Sequence, residues 1–191
     1  MYAAIALIAL LALVGLDQLT KYWALANLAP VGTIPIINGL FNLSFVQNKG
    51  AAFGILQGAR PFFIVLTILI LGVALYYFIT LQKNRVYTWV RVSIVIIAAG
   101  AIGNFIDRFA RHYVVDFLQF VPFNFPVFNV ADMYVVCGTI LLAILLLFFV
   151  KEEGKTRAPL TEPAKAANPA SLAKPREDAN PAPLAEPEDT P

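Results

Sequence analysis

One cysteine and one histidine are all that the 191 residues contain of either type. A disulfide needs two thiols, and a structural zinc site needs about four Cys or His ligands, so both frameworks are excluded. Charge is also scarce. Asp, Glu, Lys and Arg together make up 14% of the chain, against about 25% in an average soluble domain. No glutamate precedes Glu152, so the first 150 residues hold four carboxylates: Asp17, Asp107, Asp116 and Asp132. Hydrophobic residues reach 59%, more than a soluble fold of this size can hide in one core. The composition argues against a soluble globular enzyme and for a membrane protein.

The apolar residues fall in long runs. Phe62 to Leu81 is uncharged over 20 residues, which at about 1.5 Å per residue spans one bilayer core. Met133 to Val150 gives a second run, and Trp89 to Ile106 a third, with Arg91 one turn from its start where it can snorkel. The first span begins at Tyr2 and reaches bilayer length only by including Asp17 and Lys21, ending near Trp23. Ala24-Leu25-Ala26 resembles a signal-peptide cleavage site, but no Lys or Arg precedes the apolar run, and Asp17 and Lys21 interrupt it. The expectation is four transmembrane helices, about 2–23, 62–81, 89–107 and 133–150, with an outer loop over 25–61.

Orientation follows from basic residues beside the helix ends. Lys83, Arg85 and Arg91 crowd the short turn between spans two and three, and Lys151, Lys155 and Arg157 follow span four. The other side carries Lys21, Lys49 and Arg60 in a longer loop, then Arg108 and Arg111, so the bias is one of density more than count. It predicts both termini in the cytoplasm and all four aspartates in one layer at the outer boundary. In the outer loop, Phe41 to Phe45 alternates apolar and polar as a half-buried strand does. Thr33 to Ile37 can pair with it across Asn38-Gly39. Gly50 to Gln57 is apolar enough for a short interfacial helix, and Phe117 to Phe128 reads as a stiff aromatic loop. From Lys151 onward Pro and Ala dominate, and Ala-Asn-Pro-Ala occurs twice, the pattern of a disordered tail.

A carboxylate at a membrane boundary is costly and wants a reason. Asp116 and Asp132 flank a Pro-containing segment that can turn back, so their carboxylates can face each other. Two close carboxylates share a proton, giving one base and one acid, the equipment for peptide hydrolysis without metal or cofactor. The same pair could relay protons or bind a cation, and spacing alone leaves this open. Asp17 and Lys21 are i,i+4 and can simply pair. Asn104 and Arg108 are also i,i+4, with Asp107 three residues from Asn104. Asn129, three residues before Asp132, suits a helix cap or a substrate contact equally. Asn48 precedes Gly50, where small residues let a substrate backbone approach. Cys137 reads as a packing residue and His112 as a solvated loop residue. No G-x-S-x-G sequence is present.

Five segments together carry a resemblance: Asp17-Gln18-Leu19-Thr20-Lys21, Asn48-Lys49-Gly50-Ala51-Ala52-Phe53, Gly103-Asn104-Phe105-Ile106-Asp107-Arg108, Val114-Val115-Asp116-Phe117 and Phe128-Asn129-Val130-Ala131-Asp132. In this order on a four-span chain they resemble the motif set of bacterial lipoprotein signal peptidase, or signal peptidase II. Ala99-Gly100 stands where the family usually has two glycines, and Arg111-His112-Tyr113 lacks a glycine often found before the fourth motif.

The resemblance implies a membrane all-α core with a small extracytoplasmic β-platform. It implies a peptidase domain over 1–152, followed by a tail over 153–191. The implied enzyme is an aspartic endopeptidase of the bacterial inner membrane that cleaves prolipoproteins before a diacylglyceryl cysteine. Asp116 and Asp132 would be catalytic. Asn48, Asn104, Arg108, Asn129 and Ala131 would line the site, and Asp17, Lys21 and Gly50 would support it. No metal or cofactor is expected. The partners would be the prolipoprotein and membrane lipid, with no nucleic acid, and the chain would be a monomer. The rivals are a small ion- or proton-relay transporter and a non-enzymatic assembly factor. The first predicts acids spread through the membrane depth, and the second predicts replaceable aspartates.

Overall fold

The computed structural model describes residues 2–50 and 55–150. The tail expected over 153–191 lies outside them. Four helices are long and apolar enough to cross a membrane: α1 (Tyr2–Trp23), α2 (Arg60–Thr80), α3 (Arg85–Ala110) and α4 (Val130–Ile144). A π-helical turn, Ala24–Leu28, extends α1, and another, Leu145–Val150, extends α4.

Most helix ends reach beyond the uncharged runs, because the polar residues that bounded those runs belong to the helices. Pro61 opens α2, where its missing N–H costs nothing. Asn84 caps α3 by accepting the Tyr87 N–H at 2.8 Å. The basic pair Arg85 and Arg91 therefore lies inside α3 rather than in a turn before it. α3 is the central helix, packed on α1, α2 and α4. α2 buries no residue and packs chiefly on α3. Large apolar side chains such as Ile8, Leu75 and Leu147 are more than 60% exposed, as a lipid-facing surface requires.

A three-stranded antiparallel sheet caps one end of the bundle, in the order β1 (Thr33–Ile37), β2 (Phe41–Asn48), β3 (Val114–Phe120). The β1–β2 hairpin is the expected one, with Thr33 opposite Ser44 and Gly39 supplying the left-handed turn at φ 72°. The third strand corrects the expectation of an irregular loop from Phe117. β3 pairs with β2 from Phe41↔Phe120 to Asn48↔Val114, with a bulge between Leu43 and Val46. Phe128 then bridges back to Leu118, which returns the chain beside Asp116 before α4 begins. Val115 and Phe117 on β3 pack on Ala24 and Leu28 of the extended α1, seating the sheet on the bundle. Of the interfacial helix expected over Gly50 to Gln57, residues 51–54 lie outside the described residues, and 55–58 form turns.

Candidate active site

The first turn of α4 makes one wall. Asn129 is its N-cap, with extended backbone. Its Oδ1 accepts the Asp132 N–H at 3.0 Å, and Asp132 Oδ2 accepts the Asn129 N–H at 3.1 Å, a reciprocal capping box. This fixes the Asn129 amide, so its Nδ2 points across the gap and donates to Asp116 Oδ1 at 2.6 Å. One side chain thus binds both aspartates. The other oxygen of each is held by another amide: Asn48 Nδ2 donates to Asp116 Oδ2 at 2.8 Å, and Asn104 Nδ2 to Asp132 Oδ1 at 2.8 Å.

Asp116 sits in β3 opposite Val46 and is 1% exposed. Burial, and then the nearby negative charge of Asp132, push its carboxyl from the ordinary 3.8 up to about 7. The amides of Asn48 and Asn129 and the more distant Lys21 oppose this only in part. Asp116 is therefore poised to hold a proton near neutrality beside Asp132.

Below this pair lies a buried ionic layer. Lys21 directs its ammonium at Asp17 Oδ2 (3.0 Å), Asp107 Oδ2 (3.2 Å) and Asn104 Oδ1 (3.0 Å), which uses all three of its donors. Asp17, Lys21 and Asp107 are fully buried. Asp17 Oδ1 accepts the Ala131 N–H at 2.9 Å, next to Asp132. Asp107 Oδ2 accepts the Val115 N–H at 3.0 Å, next to Asp116. Each lower aspartate thus grips the backbone immediately before an upper one, and Lys21 ties the two grips together. Arg111 completes the layer by pairing with Asp107. Gly103 makes the layer possible, because a Cβ there would strike the Asp17 carboxylate.

A cleft of about 560 Å³ opens on the pair. Asn48, Gly50, Asn104, Arg108, Asp116 and Asp132 line its polar end. Arg108 lies over the Phe63 ring, 4.6 Å from its centroid, and donates to the Gly50 carbonyl at 3.2 Å. Arg60 fixes this end of α3 by donating to the carbonyls of Arg108 (2.7 Å) and Phe109 (3.0 Å). Asn129 and Ala131 are buried behind the cleft wall. The cleft continues along exposed residues of α4, Met133, Val136 and Cys137. Cys137 is therefore exposed rather than packed inside, because it lies on the outward face of α4. His112 is exposed at a left-handed position, φ 70°.

Asp107 and Arg111 are the residues that sequence reasoning left out of the site. Their i,i+4 spacing was visible, but the contact of Asp107 with Lys21 crosses from α3 to α1 and leaves no local trace.

The transport rival needs acids spread through the membrane depth, yet all four aspartates meet in this one network at the sheet end. The family model described as signal peptidase (SPase) II matches residues 8–148. The chain belongs to the signal peptidase II family. It is 45% identical over 139 residues to the lipoprotein signal peptidase of Streptococcus thermophilus (strain CNRZ 1066), covering 73% of this chain and 90% of that one. It is 47% identical over 145 residues to that of Clostridioides difficile (strain 630), covering 76% and 94%. A solved structure described as a bacterial membrane enzyme superposes with a TM-score of 0.70 at 35% identity, over 82% of this chain and 93% of that one. Membership makes the protein an aspartic peptidase of a bacterial membrane, multi-pass, that removes signal peptides from prolipoproteins. The transport reading falls.

Proposed function

We propose that Asp116 and Asp132 are the catalytic dyad and that they cleave the prolipoprotein on the amino side of its diacylglyceryl cysteine. The observation that carries this reading is Asn129, whose side-chain Nδ2 donates to the Asp116 carboxyl while its backbone N–H donates to the Asp132 carboxyl, both beside a single cleft. In the resting site the shared proton sits on Asp116, the member that burial protonates. Asp132, in the first turn of α4, acts as base.

Asp132 takes a proton from water as its oxygen attacks the scissile carbonyl carbon, and Asp116 gives its proton to the carbonyl oxygen. Collapse of the tetrahedral species returns a proton to Asp116. Asp132 passes its proton to the departing amine of the cysteine, and the signal peptide leaves as a carboxylic acid. No covalent intermediate forms. Arg108 and Asn104 contact substrate carbonyls, Asn48 orients Asp116, and Gly50 lets the substrate backbone approach. Asn129 and Ala131 support from behind, as do Asp17 and Lys21. The signal helix and its acyl chains reach the dyad sideways from the lipid along α4. The dyad lies at the outer face and both termini in the cytoplasm, a placement supported by Lys83, Arg85 and Arg91 at the opposite end. The chain works as a monomer, with the catalytic domain over 1–152 and an appended Pro/Ala-rich tail over 153–191.

The test uses Asp116→Asn and Asp132→Asn, each purified in detergent with its folding checked, against signal peptides with and without the diacylglyceryl group. The expected result is cleavage of the lipidated peptide by wild type alone. Near wild-type cleavage by either variant removes the dyad assignment. Equal cleavage of the unlipidated peptide removes the lipid requirement.

A further inference from the structure

At the end of the bundle away from the dyad, a second recess of about 1090 Å³ lies between α1, α3 and the end of α2. Its floor on α1 is Ala3, Ala6, Ala9 and Leu13, and small side chains there leave a trough beside α3. From Ala3 to Leu13 the trough runs about 15 Å at the helical rise per residue, the depth of one leaflet. Trp89, Val92 and Ile96 of α3 form the opposite wall.

The mouth is cationic. Lys83 and Arg85 line it and are exposed. Among the described residues the acids are four aspartates, all committed to the network at the other end, so no carboxylate answers these two. Arg91 plays a different part. It donates to the carbonyls of Phe78 (3.0 Å), Leu81 and Gln82 (3.1 Å), covering the negative end of α2. What faces outward is thus the positive N-terminus of α3 with Lys83 and Arg85 beside it, over an apolar trough one leaflet deep.

We propose that this recess is a binding site for one anionic phospholipid, its phosphate at Lys83 and Arg85 and an acyl chain along Ala3, Ala6 and Ala9. Charge complementarity and trough depth together select this occupant. A zwitterionic lipid would answer the trough alone, and a free phosphate the mouth alone.

The experiment is native mass spectrometry of the full chain in detergent with equal amounts of phosphatidylglycerol and phosphatidylcholine of matched chains. Wild type is expected to retain phosphatidylglycerol about 25-fold over phosphatidylcholine, about five-fold from each basic residue. Lys83→Ala and Arg85→Ala are each expected to lower that preference about five-fold. Ala6→Phe, which fills the trough, is expected to lower retention of phosphatidylglycerol with both basic residues intact. Peptide cleavage in detergent by these three variants and by the Lys83→Ala/Arg85→Ala double variant shows that they fold. Equal retention of the two lipids by wild type overturns the proposal. So does unchanged retention by Ala6→Phe or by the Lys83→Ala/Arg85→Ala double variant. In phosphatidylglycerol vesicles, a carbodiimide crosslink from Lys83 to an acid in 151–191 identifies the chain's own tail as the occupant and also overturns it.

Discussion

Replacing Asp116 by Asn should invert its effect on stability between acid and alkaline pH. The wild-type carboxyl is raised from 3.8 to about 7 by burial and by Asp132, so the folded state holds its proton more tightly than the unfolded chain does. Stability from this group is present at about pH 4 and is lost as pH rises toward about 7. At about 1.36 kcal/mol per pH unit the loss amounts to about 4 kcal/mol. Asn has no charge to desolvate, so the variant escapes this loss. It incurs another at every pH. Asn48 and Asn129 each donate to one oxygen of Asp116, and an amide offers one oxygen, so one donor meets an NH2 instead. That mismatch costs about 1–3 kcal/mol. The variant should be about 2 kcal/mol less stable than wild type at pH 4 and about 2 kcal/mol more stable at pH 8. Thermal unfolding in one detergent from pH 4 to 9 reads this as a crossing of the two Tm curves. Wild-type kcat/KM should fall on the alkaline side with an apparent pKa near 7, as the shared proton is lost. A constant Tm difference between the two proteins from pH 5 to 8 refutes the reasoning, because Asp116 would then not titrate in that window.

Three further substitutions probe the frame. Lys21→Met leaves Asp17 and Asp107 buried with Arg111 as the remaining cation among the described residues, and should destabilise by about 3–5 kcal/mol. Adding Asp17→Asn should restore part of this, and strictly additive losses in the melting curves would show that the layer is not coupled. Gly103→Ala places a methyl group against the Asp17 carboxylate and should cost about 1–3 kcal/mol by thermal unfolding. Its kcat should fall as well, because Asp17 holds Ala131 beside Asp132. Asn129→Asp keeps the cap on α4, since Asp and Asn cap equally well, but removes the N–H donated to Asp116. The new carboxyl puts an oxygen where Nδ2 met Asp116 Oδ1 and Asn104 Oδ1 in a fully buried position, so stability should fall by about 1–3 kcal/mol. In parallel, kcat/KM should drop by about 10 to 100-fold as Asp116 loses that donor. Unchanged kcat/KM in the folded variant would reduce Asn129 to its capping role.

The spans over 62–81 and 133–150 were legible because 18 or more uncharged, mostly apolar residues in a row have few other uses. The third was legible despite Arg91, and the first only by including Asp17 and Lys21. The β1–β2 hairpin was legible from its alternation and its Asn38-Gly39 turn. β3 was not. Val114 to Phe117 is buried on both faces, so the two-residue period that marks a strand is missing. What makes it a strand is its pairing with β2, more than 65 residues earlier in the chain. The capping box at Asn129 and Asp132 could be read from a three-residue spacing. That the same Asn129 also reaches Asp116 could not, because that contact needs the return of Phe128 alongside Leu118. Asp17 and Lys21 were readable as a pair, but their role as the root of a two-sided grip depends on Asp107, which comes from another helix.

Four aspartates at one end of a membrane bundle perform two different tasks, and the partners of each pair set the task. Asp17 and Asp107 face cations, Lys21 and Arg111, whose charge-assisted bonds hold them in place. A carboxylate so paired is a firm anchor. Asp116 and Asp132 face amides instead, from Asn48, Asn104 and Asn129. An amide fixes the position of a carboxyl group without supplying a full positive charge, so burial and mutual repulsion remain free to raise Asp116 toward neutrality. A lysine or arginine bonded to Asp116 in place of either amide would hold it equally still and remove the shared proton. The division of amides above and cations below is therefore what allows one cluster to be rigid and reactive together. It also explains why Lys21 spends its donors on Asp17, Asp107 and the far side of Asn104, reaching Asp132 only through an amide.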